Sequence, residues 1–442
     1  MRLALFLLAP AIAAAEPADP PPALADLAMV GAVGEHTASI WCATAISDPL
    51  PTLQWKPAAI PSVASILVSS TTSEIPLGPR YQLAKMRLVR FDCSGLTPAT
   101  PHQVGLNLVA GLAELSFTTA PPAGSAAPLR LVFASCFRQP TGGALTALGR
   151  ERADLALFIG DNGYFLPARR VPGGDDMLLP ADWDSPGQMA EVHLGFKNIS
   201  ALRPLFRSAS CLAIWDDHDY GPNDSDGTFA LKGDSRRLFQ ASWANQPAAG
   251  QGIWFTIRRG DVQLFMLDDR WDRSPNRSPD GPGKSLLGPA QKAWLKSELL
   301  ASTATLKLIV CGGQFLADYS ERFESWQLFR NEREELLAFF QEHKVPGLVF
   351  LSGDRHLAEL IRWDRAGLPP LYELTSSAAS AGMVSATFRD LVNPRRVAGC
   401  TDQQNYGVVE WDPTRGSVAL AVHGSDGAAV FRQVVEISPP RR

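Results

Sequence analysis

From Cys211 to Trp215 the chain is apolar, and the next four residues are Asp216, Asp217, His218 and Asp219. Such a run reads as a buried strand. Carboxylates grouped in a buried setting are costly unless a cation neutralises them. A solvated turn, with Gly221-Pro222-Asn223 as turn residues, also accommodates acids, but it needs no apolar strand aimed at it. The stretch therefore favours a fold whose strands deliver polar side chains at their carboxyl ends, as α/β proteins do at metal and phosphate sites.

Three other segments repeat the arrangement. Leu129 to Ser135 runs into Cys136, and Leu155 to Gly160 runs into Asp161 with Tyr164 three residues on. Gly347 to Gly353 runs into Asp354 with His356 two residues on. Taken singly, each ligand-type residue has an ordinary reading. Cys136 is a core thiol, Tyr164 a strand-end aromatic, His356 a local cap and Asp354 a turn residue. Together, strands that bring Cys, Asp, Tyr and His to one sheet edge form a metal-site pattern.

The ordered set Phe133-Ala134-Ser135-Cys136, Gly160-Asp161-Asn162-Gly163-Tyr164, Trp215-Asp216-Asp217-His218-Asp219, Leu267-Asp268-Asp269-Arg270 and Ser352-Gly353-Asp354-Arg355-His356 resembles the alkaline phosphatase D (PhoD-like) family. That family lies within the calcineurin-like metallophosphoesterases. Leu287-Gly288-Pro289-Ala290-Gln291-Lys292-Ala293-Trp294-Leu295 resembles its helix-opening motif. The resemblance implies an α/β fold, a four-layer α/β/β/α sandwich, preceded by a small fibronectin-III-like β-sandwich. It also implies hydrolysis of phosphate mono- or diesters by a metal-activated water.

The implied ligands follow residue by residue. Ferric iron takes Cys136, Asp161, Tyr164 and His356, whose thiolate and phenolate are anionic donors suited to a highly charged ion. Calcium takes oxygens from Asp161, Asn223 and Asp354, with Asp217 as a rival ligand. Other divalent metals are the alternative occupants. Asp161 is the candidate bridge between the two cations. His218 is read as proton donor to the leaving oxygen, or as the group that neutralises it. Arg270 either holds a phosphate oxygen or forms a salt bridge to Asp268 or Asp216. Gln314 stands near where the wider superfamily places a His ligand. Arg138 and Arg355 adjoin ligand residues and bias the site toward anions.

The N-terminus carries Arg2, an apolar run, and Ala13-Ala14-Ala15 before Glu16. This is a secretory signal pattern over residues 1–15, too short to span a bilayer; a buried or unstructured apolar terminus is the alternative. The family often carries a twin arginine here, and this chain does not. The expectation is an exported protein, periplasmic or secreted. Its net charge of −4 over 442 residues provides no basic field, so nucleic acid is not indicated as a main partner. Export permits disulfides, and among six cysteines, Cys42 and Cys93 are the tentative pair.

Residues 16–26 read as a flexible leader. Residues 27–120 show short alternating runs with Pro and Gly between them, the pattern of a β-sandwich. In the fibronectin-III-like turn at residues 95–102, His102 stands where Tyr is usual. Residues 121–128 are a linker by composition, and residues 129–442 form the catalytic region. There, helices are expected over 143–152, 289–300 and 324–343, and strands over 253–257, 262–267, 306–310 and 348–351. Residues 165–200 lack periodicity and are expected to form a loop over the site. Two other readings keep the same motifs: a diesterase acting on phospholipids or polymer phosphodiesters, and a non-catalytic exported binding protein.

Overall fold

A computed structural model describes residues 24, 26–56, 66–81, 83–171, 177–319, 323–388 and 390–437. The expected signal segment 1–15 and residues 173–176 lie outside the described residues.

The N-terminal strands are β1 (Leu27–Val33), β2 (Thr37–Ala45), β3 (Thr52–Trp55), β4 (Leu67–Pro76), β5 (Lys85–Ser94), β6 (Pro101–Leu108) and β7 (Gly111–Thr118). They form one sheet in the order β1-β2-β5-β4 and a second in the order β3-β6-β7. Alternation along the strands explains the sandwich. Val30, Ile40, Val89 and Phe91 meet Val104, Leu106, Leu115 and Phe117 between the sheets. The opposite face, with Met29, Trp41, Met86 and Leu88, joins the core of the larger body. Buried His102 packs 5.3 Å from Trp55 and 5.2 Å from Phe117, and neither ring nitrogen has a partner. Its ring thus makes no corner hydrogen bond of the kind a tyrosine hydroxyl supplies.

The tentative Cys42–Cys93 disulfide does not form. Both thiols are free and buried. The register pairs Ala38 with Cys93 and Cys42 with Val89. The two cysteines therefore sit four residues apart along adjacent strands, about 13 Å, where a disulfide needs about 4–7 Å between Cα atoms.

The larger body contains β8 (Leu129–Ala134), α1 (Leu145–Gly149), β9 (Leu155–Ile159), β10 (Arg169–Val171), β11 (Met177–Leu179), α2 (Pro186–Lys197), α3 (Arg203–Ser208), β12 (Ser210–Ile214), α4 (Lys232–Ser242), β13 (Phe255–Arg259), β14 (Val262–Met266), α5 (Gly288–Ala301), β15 (Leu306–Val310), α6 (Arg330–Glu342), β16 (Leu348–Ser352), β17 (Ala358–Arg365), β18 (Leu368–Ser376), β19 (Arg396–Cys400), β20 (Asn405–Asp412), β21 (Ser417–Gly424) and β22 (Ala429–Glu436). One sheet has the order β12-β9-β8-β20-β21-β22, the other β13-β14-β15-β16-β18-β17-β19.

Side-chain period fixes the layers. Leu264, Met266, Leu308, Val310, Val349 and Leu351 share one core with strands of the first sheet. Their neighbours Phe265, Ile309 and Phe350 turn the other way, onto Leu295 and Leu299 of α5 and Leu336 and Phe340 of α6. Helices α2, α3 and α4 bury Leu194, Leu205 and Leu238 against the first sheet. Two mixed sheets thus lie face to face with helices outside them. The parallel strands β8, β9 and β12, and β14, β15, β16 and β18, all end at one edge.

Residues 165–200 differ from expectation. They contain the β10–β11 hairpin and α2, a helix buried on nearly all sides. A helix buried all round has no apolar stripe to reveal it. Its start signals were nevertheless present. Ser185 caps the amide of Gln188, and Pro186 opens the first turn.

The last residue of α2, Lys197, is 3 % exposed. Its Nζ lies 3.7 Å from Met29 Sδ, among the rings of Trp41, Phe196, Phe206 and Trp243. Burial drives its pKa well below the usual lysine value of 10.5. Because the folded form prefers the neutral amine, protonation opposes folding at lower pH and is relieved as pH rises toward the unfolded value. Lys197→Met is therefore expected to stabilise the fold by about 1–3 kcal/mol, with a larger gain at pH 6 than at pH 9. Urea unfolding of both proteins at the two pH values checks this. A loss of stability in the variant at both would show that the amine is a favourable part of the aromatic cluster.

Candidate metal centre

The ligand-type residues singled out from the sequence, Asn223 apart, lie within a few residues of the carboxyl end of a parallel strand. Cys136 follows β8, Asp161 follows β9, Asp216 to Asp219 follow β12, and Asp354 and His356 follow β16. The chain must turn sharply at each strand end to bring these side chains together. Of the eight described non-glycine residues with positive φ, five are Cys136, Asp161, Asp224, Asp354 and His356. Left-handed backbone is uncommon outside glycine and is retained where surrounding contacts enforce it. Gly160, with φ of +100°, is required here, since a Cβ would lie 2.5 Å from that of Asp216.

The ligand atoms of Cys136, Asp161 and His356 lie within 4.8 Å of one another. The Cys136 Sγ sits 3.5 Å from Asp161 Oδ2 and accepts a hydrogen bond from Ser377 Oγ at 3.1 Å. Tyr164 Oη is 3.1 Å from His356 Nε2. A second group, Asp161, Asp217 and His218, meets the same 4.8 Å limit and shares Asp161 with the first. The amide of His218 donates to Asp161 Oδ1 at 3.2 Å, and its ring stacks on Tyr164 at 4.3 Å. Neither Asp217 Oδ1 nor His218 Nδ1, both buried, has a partner.

Asp354 borders this cluster. Its carbonyl oxygen is 3.6 Å from Cys136 Sγ, and its carboxylate is 3.9 Å from the Arg355 guanidinium. Asn223 is exposed in the loop after β12. Its neighbour Asp224 donates its amide to Asp217 Oδ2 at 2.7 Å. Arg270 is buried with its donors committed. Nε bonds Asp216 Oδ1 at 2.7 Å, Nη2 bonds Glu324 Oε2 at 2.8 Å, and Nη1 bonds the Ser225 carbonyl at 3.1 Å. The structure thus has the ion pair to Asp216, the sequence's alternative to a phosphate contact. Gln314 commits its Nε2, donating to Glu359 at 2.6 Å and Thr375 at 2.8 Å, while its Oε1 is buried without a partner.

Burial lifts the Asp161 carboxyl well above the usual range, and the nearby anions of Asp217, Asp219 and Asp354 add to it. The Cys136 thiol and the Tyr164 phenol are raised first by burial and then by Asp161. Asp354 is pushed up to about 7 by burial. His356 is lowered to about 4 by burial, with His218 nearby as a further cause. These groups cannot all ionise together in a site without positive charge. A multivalent cation reverses each effect, since it favours thiolate, phenolate and carboxylate alike. Together with the partnerless Asp217 Oδ1, this donor set fits bound cations.

Several contributing residues had no assigned role in the sequence. Asp219 accepts from the amides of Asp161, Asn162 and Asp216 and from Asn162 Nδ2, at 2.8–3.1 Å. It was visible only as one more acid in the run. Gln291, inside the helix-opening motif, brackets Asp268 by accepting its amide at 2.8 Å and donating to its carbonyl at 2.6 Å. Ser377 follows β18, and Glu324 lies far along the chain with no local signal. Asp217, Asp224 and Glu324 also have oxygens within 4.8 Å of each other. Both Glu324 oxygens are already held by Arg270, and Oε1 also by Arg273 and Asn276, so this third group is weaker as a cation site.

Comparison with known proteins identifies the family and the fold. Residues 131–423 match the family model described as PhoD-like phosphatase. Alkaline phosphatase D of Bacillus subtilis (strain 168) is 23% identical over 400 residues, covering 80% of this chain and 67% of that protein. The solved structure of PhoD superposes with a TM-score of 0.71 at 15% identity, covering 92% of this chain and 88% of the other. A purple acid phosphatase from yellow lupin (Lupinus luteus) seeds gives a TM-score of 0.66 at 12% identity, covering 93% and 74%. The two superpositions show a shared fold, and the family match spans the strands that carry the clustered residues. The chain belongs to the PhoD-like phosphatase family and is a hydrolase acting on phosphoester bonds.

Proposed function

We propose that the chain is an exported phosphatase or phosphodiesterase in which ferric iron and calcium serve hydrolysis above neutral pH. The observation that carries this reading is the sharing of Asp161 between two ligand groups within 4.8 Å. A carboxylate in that position suits a bridge between two cations. Cys136, Asp161, Tyr164 and His356 would hold the iron, with thiolate and phenolate matching its charge. Asp161, Asp217, Asn223 and Asp354 would supply oxygens to the calcium. When bound, the cations draw charge from the phosphoryl oxygens and acidify an attacking water.

The chain's own groups then have separate tasks. Asp219 holds the Asp161 and Asp216 backbones through its hydrogen bonds. Arg270 fixes Asp216 from below. His218, stacked on Tyr164 with a free Nδ1, gives a proton to the leaving oxygen. Residues 1–15 direct export. Residues 27–120 form a fibronectin-III-like domain joined by 121–128 to the catalytic domain at 129–442.

The purified protein is expected to contain about one iron per chain and a visible charge-transfer band from thiolate and phenolate ligation. Cys136→Ser should lose the band and the activity together. Wild-type turnover in that variant would return Cys136 to the role of a core thiol.

Chelation should abolish turnover, and calcium should restore it better than magnesium, because an oxygen-rich loop suits the larger ion. Rescue titrations with calcium, magnesium and zinc test this, and equal rescue by all three would exclude a calcium-selective site.

His218→Ala should lower turnover about 10²–10⁴-fold with little change in metal content. The loss should shrink for nitrophenyl esters, whose leaving groups depart unprotonated. Rates plotted against leaving-group pKa, with iron per chain measured alongside, decide the assignment. An unchanged slope in the variant would place the acid elsewhere.

A further inference from the structure

Arg355 stands between two residues of the cluster, Asp354 and His356, and is 9 % exposed. Its guanidinium lies over the ring of Phe323 at 4.1 Å and near that of Tyr319 at 5.8 Å. Among the described residues its side chain makes no hydrogen bond. The Nε is buried without a partner, and the nearest carboxylate oxygen, Asp354 Oδ2, is 3.9 Å from Nη1. A buried guanidinium with open donors is costly. Arg270 shows the contrast, since three carbonyl or carboxylate groups occupy its donors.

The Phe323 ring beneath the guanidinium holds it in place and leaves N–H groups for an acceptor. The acceptor that the site itself brings is a phosphoryl group. A phosphate monoester dianion has three peripheral oxygens. With two drawn toward the cations that the cluster would hold, the third would be left for a cationic donor. A diester has only two such oxygens, and a second ester oxygen with its carbon substituent occupies the third position. That ester oxygen carries little charge, and its substituent crowds a fixed guanidinium.

We propose that Arg355 binds the third peripheral oxygen of the substrate and sets a preference for phosphate monoesters over diesters. This inference rests on the proposed phosphoesterase function.

The test uses full-length holoenzyme with 4-nitrophenyl phosphate and bis(4-nitrophenyl) phosphate, together with iron and calcium content and calorimetric binding of inorganic phosphate. Arg355→Ala should lower kcat/KM for the monoester about 10²–10³-fold and for the diester less than about tenfold. Phosphate binding should weaken about 10–100-fold. Arg355→Lys keeps the charge without the fork and should recover part of the monoester loss while folding as wild type. Parallel losses on both esters, or unchanged phosphate affinity, would overturn the assignment. So would metal loss in step with rate, which would make Arg355 a structural partner of Asp354. A wild-type enzyme that hydrolyses neither ester would sink the parent function as well. A wild type active on both, with parallel losses in the variants, would sink only the role of Arg355.

Discussion

The fold is arranged around an electrostatic liability, the burial of many carboxylates where two sheets meet. Asp161, Asp216, Asp217, Asp219, Asp268 and Asp269 are each at most 4 % exposed. In a medium of low polarity these charges repel one another and favour protonation. The structure treats them in two ways. Asp219 and Asp268 are saturated with hydrogen bonds from backbone amides and side chains. Asp216 is paired with Arg270. Asp161, Asp217 and Asp354 receive less, and Asp217, like Asp216 and Asp269, keeps one buried oxygen with no partner. Of these acids, Asp161 lies beside Cys136 and His356, where donors for a cation converge.

Backbone geometry concentrates it further. Cys136, Asp161, Asp354 and His356 all adopt left-handed conformations. Such conformations cost up to about 1–3 kcal/mol each, less for Asp than for other side chains. Two glycines bring the loops into contact across the sheets. A Cβ on Gly312, after β15, would meet Asp216 Oδ2 at 2.7 Å, and one on Gly353, after β16, would collide with Ser135. Strands from separate sheets can thus share one site only where side chains are absent at the crossing.

Much of this was legible in the sequence because the relevant elements are short, buried and locally marked. Strands such as Leu155–Ile159 announce themselves as apolar runs, and Asp161 follows two positions on. The helix at Gly288–Ala301 was marked by Pro289 at its start. What was hidden depends on distance along the chain or on uniform burial. Helix α2 buries Gln188, Glu191, His193 and Lys197 along with its apolar residues, so no stripe set it apart from a loop. Glu324 touches Arg270 across 54 residues of sequence, and Ser377 reaches Cys136 across 241. Neither carries a local pattern. The Cys42–Cys93 pairing failed because shared burial says nothing about register, and the register separates them.

The least legible part also connects the acid loop to the surroundings of Arg355. Arg270 links Asp216 to Glu324, and Arg273 and Asn276 bind the same glutamate. Removing one member of such a buried network leaves the others charged and unpaired, at a cost of about 3–5 kcal/mol. Glu324 is thereby pinned beneath the loop that follows β12. Its neighbour Phe323 is the ring on which Arg355 lies. The buried ion pairs thus anchor the residue next to the surface against which that guanidinium is set. Rigidity needed to hold the acids apart thereby becomes rigidity in the position of the Arg355 guanidinium.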